Sequence, residues 1–114
     1  MVKKSYIPNA RDIVWIDCDP QRGHEEAGRR PALVISPGYY NKKTRLVVMV
    51  PITSRVKGYA FEVSINAKKT KGVILADQVR SYDWEARNAV FIEKAPEEIL
   101  RKVREKIITL IQGM

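Results

Sequence analysis

Histidine and cysteine are nearly missing from this chain. It has one of each, His24 and Cys18, in 114 residues. A zinc or other transition-metal site needs a cluster of such ligands, so we expect no metal and no cofactor. A lone cysteine forms no internal disulfide and fits a reducing compartment. With no histidine beside it in the sequence, Cys18 reads as packing at a strand end. There is no Walker-type glycine-rich loop and no Gly-x-Ser-x-Gly elbow. Long apolar runs are missing too. The longest, Leu46 to Pro51, is far too short to cross a bilayer, and the residues after Lys3-Lys4 supply no apolar stretch of a signal peptide. Repeats, linkers and low-complexity tracts are also absent. The expectation is one soluble, cytoplasmic domain over residues 1–114 with no membrane contact. With 45% hydrophobic and 30% charged residues it has enough apolar material for a core and is not disordered.

What the chain does have is positive charge, unevenly placed. The net charge is +8; residues 1–60 hold 11 Lys and Arg against 5 Asp and Glu, and residues 61–114 hold 10 against 8. A polyanionic partner is the natural reading, because neutralising phosphates releases counterions and steers encounter. A basic, solvated surface would have the same composition. The densest group of ionisable side chains is Gly23-His24-Glu25-Glu26-Ala27-Gly28-Arg29-Arg30-Pro31. It lies between a β-rich segment, Asp12–Asp17, and an apolar one, Pro31–Ser36. A charged loop at the mouth of buried strands is a common way to present reactive groups on a rigid scaffold.

The rest of the chain reads as short strands and one long helix. Pro37–Lys43 is a turn or short helical segment. Arg45–Thr53 is apolar on both faces and so reads as a central strand. Phe61–Ile65 alternates like a half-buried strand. Gly72–Ala76, Gln78–Tyr82 and Ala89–Ile92 complete the β region. Pro96 suits the first position of a helix, and Glu97 and Glu98 suit its positive end. Ile99, Val103, Ile107 and Ile111 recur every four residues, widened by Leu100 and Leu110 into an amphipathic stripe, and Gly113 is a plausible stop. Such an order points to a small, strongly bent antiparallel sheet or barrel carrying a C-terminal helix.

Several side chains suit work on a phosphodiester. Arg30 stays protonated at ordinary pH and is made to clamp a phosphate and stabilise added negative charge, unless it simply pairs with Glu25 or Glu26. His24 can act as acid or base near neutral pH, or sit inert in its loop. Thr53, at the end of the central strand, can bind a phosphate oxygen or cap the following turn. Ser54, Arg55 and Lys57 add polar and cationic lining for a backbone-binding groove. Asp77, Gln78, Arg80 and Ser81 offer groups that read base edges in an unpaired strand.

Taken together, in order and spacing, these segments resemble the MazF/PemK family of toxin endoribonucleases. The resemblance runs through Arg11-Asp12-Ile13-Val14-Trp15, Asp19-Pro20, Gly23-His24-Glu25, Gly28, Arg30-Pro31-Ala32-Leu33-Val34 and Tyr40-Asn41. It continues with Val50-Pro51-Ile52-Thr53, Lys57-Gly58-Tyr59, Gly72-Val73, Ala76-Asp77-Gln78-Val79 and the final helix. The short connection Ser54–Tyr59 is closer to the MazF branch. The resemblance implies an SH3-like β-barrel with a C-terminal helix, a homodimer, and metal-independent cleavage of single-stranded RNA. In that reaction the 2′-hydroxyl attacks the adjacent phosphate, leaving a 2′,3′-cyclic phosphate and a 5′-hydroxyl. It places the family's arginine before proline on Arg30 and its strand-end threonine on Thr53. It adds His24 and Asp77 by analogy with the PemK branch, although that branch carries an arginine where this chain has Leu75. Glu25, Arg29, Ser54, Arg55, Lys57, Gln78, Arg80 and Ser81 fall where RNA would bind. The implied partners are mRNA and an acidic, partly disordered antitoxin of the MazE kind that lies across the RNA groove. A gyrase-poisoning toxin of the same barrel fold and a non-catalytic RNA- or DNA-binding SH3-like module are the competing readings.

Overall fold

The computed structural model describes residues 6–18 and 28–113. In order they form β1 (Asp12–Asp17), β2 (Arg29–Val34), α1 (Gly38–Thr44), β3 (Leu46–Thr53), β4 (Glu62–Asn66), β5 (Lys71–Leu75), β6 (Arg80–Asp83), β7 (Val90–Lys94) and α2 (Glu97–Gln112). All strand pairings are antiparallel, in one bent sheet of order β4-β5-β3-β2-β1-β7, with β6 added on β3. This is the mostly β, half-barrel architecture with a C-terminal helix that the strand pattern implies. The apolar run of β3 is central as expected, hydrogen-bonding β2, β5 and β6.

Alternation along the strands gives the sheet a core on each face. On one face Ile13, Leu33, Val50, Ile52, Val63, Ile65 and Ile74 pack with Leu100 and Val103 of α2. On the other, Val14, Ile16, Cys18, Ala32, Val34, Val47 and Met49 pack with Tyr82 and Trp84. The stripe on α2 is used unevenly. Leu100 and Val103 are buried and Ile99 and Ile107 pack on the core's edge. Ile108, Leu110 and Ile111 face solvent. Pro96 is the N-cap of α2 rather than its first helical residue, and Glu97 and Glu98 occupy the first turn. Gly113 closes the helix in the left-handed conformation.

Two local devices set up the functional end of the sheet. First, β5 and β6 follow the same strand, β3, with an interruption. Three steps along β3, from Ile52 to Met49, correspond to six along the partner, from Ile74 to Arg80. The surplus bulges out as a turn closed by Gln78 N–H donating to Leu75 O at 3.0 Å. Secondly, the open end of the β1–β2 hairpin is gripped at its neck. Cys18 N–H donates to Gly28 O at 2.8 Å, and Asp17 N–H donates to Arg87 O at 3.0 Å.

Candidate active site

The site is built where β2 and β3 end. Ala32 pairs with Pro51 in their register. Two residues further along each strand, on the same face and just past the last paired residues of this ladder, come Arg30 and Thr53. Arg30 pairs with Ile16 on its other side, and so belongs to β2 itself rather than to the loop before it. Thr53 is buried, and its Oγ1 accepts the backbone N–H of Arg55 at 3.2 Å, which fixes the hydroxyl at the strand end. Behind Thr53 the chain passes very close: a Cβ on Gly72 would lie 2.3 Å from Thr53 O.

A cleft opens on this face, lined by Cys18, Ala32, Met49, Pro51, Gln78, Arg80 and Tyr82. Its floor is apolar, and among the described residues its lining holds no carboxylate. A neighbouring hollow is lined by Thr53, Arg55, Lys57, Tyr59, Glu62, Leu75 and Gln78. Gln78, carried on the β5–β6 bulge, belongs to both and joins them into one track past Thr53. In the second hollow Glu62 orders the connecting loop, its two carboxylate oxygens accepting the N–H groups of Lys57 at 3.0 Å and Gly58 at 2.9 Å. A larger groove of about 540 Å³ lies between α2 and β4, lined by residues such as Phe61, Ser64, Lys102 and Thr109. It contains none of the candidate site residues, whereas the two smaller hollows hold Thr53, Arg55, Lys57, Gln78 and Arg80 between them, so side-chain chemistry rather than size picks those out.

The electrostatics of the cleft are cationic. Burial pushes the Cys18 thiol up, against the opposing pull of the Tyr82 hydroxyl and of Arg30, Arg87 and Arg80. Three guanidiniums therefore converge on one small apolar pocket, and the thiol stays neutral there. Tyr82 is likewise raised, first by burial. Its ring has Arg87 Cζ 4.5 Å and Arg80 Cζ 5.8 Å from its centroid. Preorganised guanidiniums around a dry floor favour an anionic ligand with an apolar portion, as a nucleotide has.

The structure thus brings together Arg30, Thr53, Gln78, Arg80, Arg55 and Lys57. Arg29 goes elsewhere. Next to Arg30 in an extended strand, it faces the other way and donates to Asp17 Oδ1 at 2.9 Å and Asn88 O at 2.9 Å. Asn88 and Arg29 hold the Asp17 carboxyl below the usual carboxylate range, Asn88 contributing most. Ser81 alternates to the face opposite Arg80 and Tyr82. Ser54 and Asp77 are exposed beside the track without lining it. His24 and Glu25 lie outside the described residues. Arg87 is the residue that sequence reasoning missed. It lies between the Ala76–Val79 motif and the final helix, and only the return of the chain at the Asp17–Arg87 backbone contact brings it to the cleft.

Known proteins share this architecture. Residues 9–111 match the profile of the family described as PemK-like, MazF-like toxin of type II toxin-antitoxin system. The chain is 45% identical over 106 residues to the endoribonuclease toxin MazF of Escherichia coli K12, covering 93% of this chain and 96% of that one. It is 36% identical over 107 residues to the endoribonuclease PemK of Escherichia coli, covering 89% and 80%. Among solved structures it superposes on MazF of Deinococcus radiodurans with a TM-score of 0.90 at 48% identity, covering 96% of this chain and 100% of that one. Against a MazE-MazF complex of the same organism the TM-score is 0.82 at 42% identity, covering 96% and 100%.

Proposed function

The chain belongs to the PemK-like, MazF-like family of type II toxins, and on that premise we propose how its cleft cuts RNA. The protein is an endoribonuclease toxin of a toxin–antitoxin system. Its substrate is single-stranded mRNA, and its place is the cytoplasm, where cutting mRNA stops translation and growth. The RNA lies along the track from the Arg80 cleft past Thr53 to Arg55 and Lys57, its bases unpaired against the apolar floor and its phosphates facing the guanidiniums. The scissile phosphate sits between Arg30 and Thr53. The ribose 2′-oxygen attacks phosphorus, the bond to the 5′-oxygen breaks, and a 2′,3′-cyclic phosphate and a 5′-hydroxyl result. One proton leaves the 2′-hydroxyl and one reaches the departing 5′-oxygen. Arg30 stabilises the charge that builds on the phosphoryl oxygens. Thr53 holds one of those oxygens by its hydroxyl. His24 serves as the acid or base. Asp77 is assigned to the reaction and Glu25 to RNA binding, and no metal or cofactor enters the reaction.

The observation that supports this reading is the alternation of β2 and β3, which leaves Arg30 and Thr53 on the same face, just past the last paired residues, beside the Arg80 cleft. An acidic antitoxin of the MazE kind fits the same surface, since its carboxylates mimic phosphates and its chain folds on binding. The toxin works as a homodimer, and Ile108, Leu110 and Ile111, exposed on α2, are suited to contact a second copy.

The test is cleavage of a long unstructured RNA in excess EDTA, with every fragment end mapped. Discrete cuts at one short sequence, bearing cyclic-phosphate and 5′-hydroxyl ends, are expected. Arg30→Ala should lose about a hundredfold or more in scission, the usual cost of removing one charge-stabilising group, while keeping much of its RNA affinity. Intact RNA from the folded wild-type protein would overturn the reading.

A further inference from the structure

Tyr82 has no part in the reaction described above, yet it occupies the centre of the cationic wall. It lies two residues after Arg80 on β6, a strand of only four residues, so the two side chains share a face. Arg87 arrives from the turn that follows. Both guanidinium carbons are within the roughly 6 Å at which an aromatic face attracts a cation. Two like charges held beside one ring repel. The negative face of the ring draws two of them to one place. The ring is itself held from behind. Tyr82 is buried in the core with Cys18, Val47 and Met49, and its backbone pairs with Val47. Its hydroxyl lies beside the Cys18 thiol, which donates to Ile16 O at 3.8 Å. Arg87 is further steered by its Nη1 donating to Asp17 O at 3.3 Å, at the hairpin neck.

From this geometry we propose that Tyr82 is a positioning residue for the RNA track. By stacking against Arg80 and Arg87 it holds two phosphate-binding guanidiniums ready beside the scissile site, and so sets substrate affinity rather than scission rate. An arginine has many rotamers to lose on binding, and one already held in place loses fewer. Scission is insulated from the stack because Arg30 and Thr53 are placed by β2, β3 and the close approach of Gly72. The proposal rests on the endoribonuclease reading, and its test is arranged so that the two fail differently.

The probe is an RNA oligonucleotide carrying the cleavage sequence mapped with wild-type protein. A copy with 2′-deoxyribose at the cut, which cannot be attacked, measures binding. Tyr82→Leu should raise KM and Kd about five- to tenfold and leave kcat within about twofold. The dependence of log Kd on log salt should become shallower by about 0.7 for each phosphate that the displaced guanidiniums no longer neutralise, although no charge has been removed. Tyr82→Phe, which keeps the ring and loses only the hydroxyl, should match wild type in both KM and salt slope. Arg87→Lys keeps the charge without the planar stack. It should resemble Tyr82→Leu and add little in the Tyr82→Leu background. Tyr82→Met fills the same space without a ring and keeps the test alive if the leucine variant does not fold. Wild-type KM and salt slope in Tyr82→Leu or Tyr82→Met would overturn the proposal. So would equal impairment in Tyr82→Phe, or a fall in kcat and melting temperature together with no change of salt slope. RNA left whole by wild-type protein refutes the nuclease instead.

Discussion

At Gly72 one absent methyl group decides where Thr53 sits. The backbone there has φ +143°, a conformation side chains disfavour, and Thr53 O occupies the space a Cβ would take. Gly72→Ala is therefore expected to lower stability by about 2 kcal/mol or more and to displace Thr53, so that kcat falls more than the melting curve explains. Denaturant unfolding and single-turnover cleavage, run on the same preparation, check this. In the sequence Gly72 is visible only as the start of the Gly72–Ala76 strand segment and as part of the Gly72-Val73 match. Tyr6 makes a different demand. Burial first, then its hydrogen bond to Asp12 and the charge there, raise the phenol far above its ordinary value of 10.0. The folded protein therefore holds this proton more tightly than the unfolded chain. The stability it contributes is whole below pH 10 and is lost as pH rises beyond that. Tyr82, also raised, has the same sign. Tyr6→Phe should flatten the fall in stability above pH 10, as urea titrations between pH 8 and 11 would show. A Tyr6→Phe curve as steep as wild type would contradict it.

Among the elements, α1 shows how little a short helix relies on its own sequence. Seven residues are too few to be stable alone. Asn41, fully buried, ties the helix into the fold. Its Nδ2 donates to Pro8 O at 2.8 Å and Ser36 O at 3.0 Å, its Oδ1 accepts Ser36 Oγ at 2.6 Å, and its carbonyl accepts Trp84 Nε1 at 2.9 Å. Asn41→Ala strands several buried polar groups at once and should cost about 3 kcal/mol, measured by chemical denaturation, with kcat little changed in the protein that remains folded. Nothing local in Pro37–Lys43 distinguishes turn from helix; the partners of Asn41 that settle it come from distant segments. Strand β2 teaches the same lesson. Its apolar pattern begins at Pro31, yet the strand starts at Arg29, because Asp17 and Ile16 of β1 draw Arg29 and Arg30 into the ladder. Pairing, not periodicity, makes Arg30 a strand residue with a fixed direction.

At the scale of the molecule, the part of the α2 stripe that the chain's own core leaves uncovered becomes informative. Ile111 is 77% exposed and Ile108 51%, at the far end of a helix whose beginning is buried. A homodimer that covers them accounts for a stripe longer than one core requires. Sedimentation of wild-type protein should give twice the 13.1 kDa of one chain. The double variant Ile108→Glu, Ile111→Glu should shift the equilibrium toward monomer at least tenfold, because it adds charge to a face that must be desolvated. An unchanged dimer would move the interface elsewhere. Among the described residues no helix is long and apolar enough to cross a membrane.

By itself the sequence determined the order of the elements and the type of every one but α1, since turn residues and apolar periodicity are local signals that survive without a partner. It also supplied the net charge and the candidates Arg30 and Thr53, by resemblance and side-chain chemistry. Only the tertiary structure decided which candidates meet. Alternation puts Arg30 and Thr53 on one face just past the last β2–β3 pair and turns Arg29 and Ser81 away, and a three-residue surplus between β5 and β6 carries Gln78 into the track. Arg87 enters through a backbone hydrogen bond to Asp17, seventy residues away in the chain. A side chain's type is written in the sequence, but its neighbours depend on pairings between strands that no local pattern encodes.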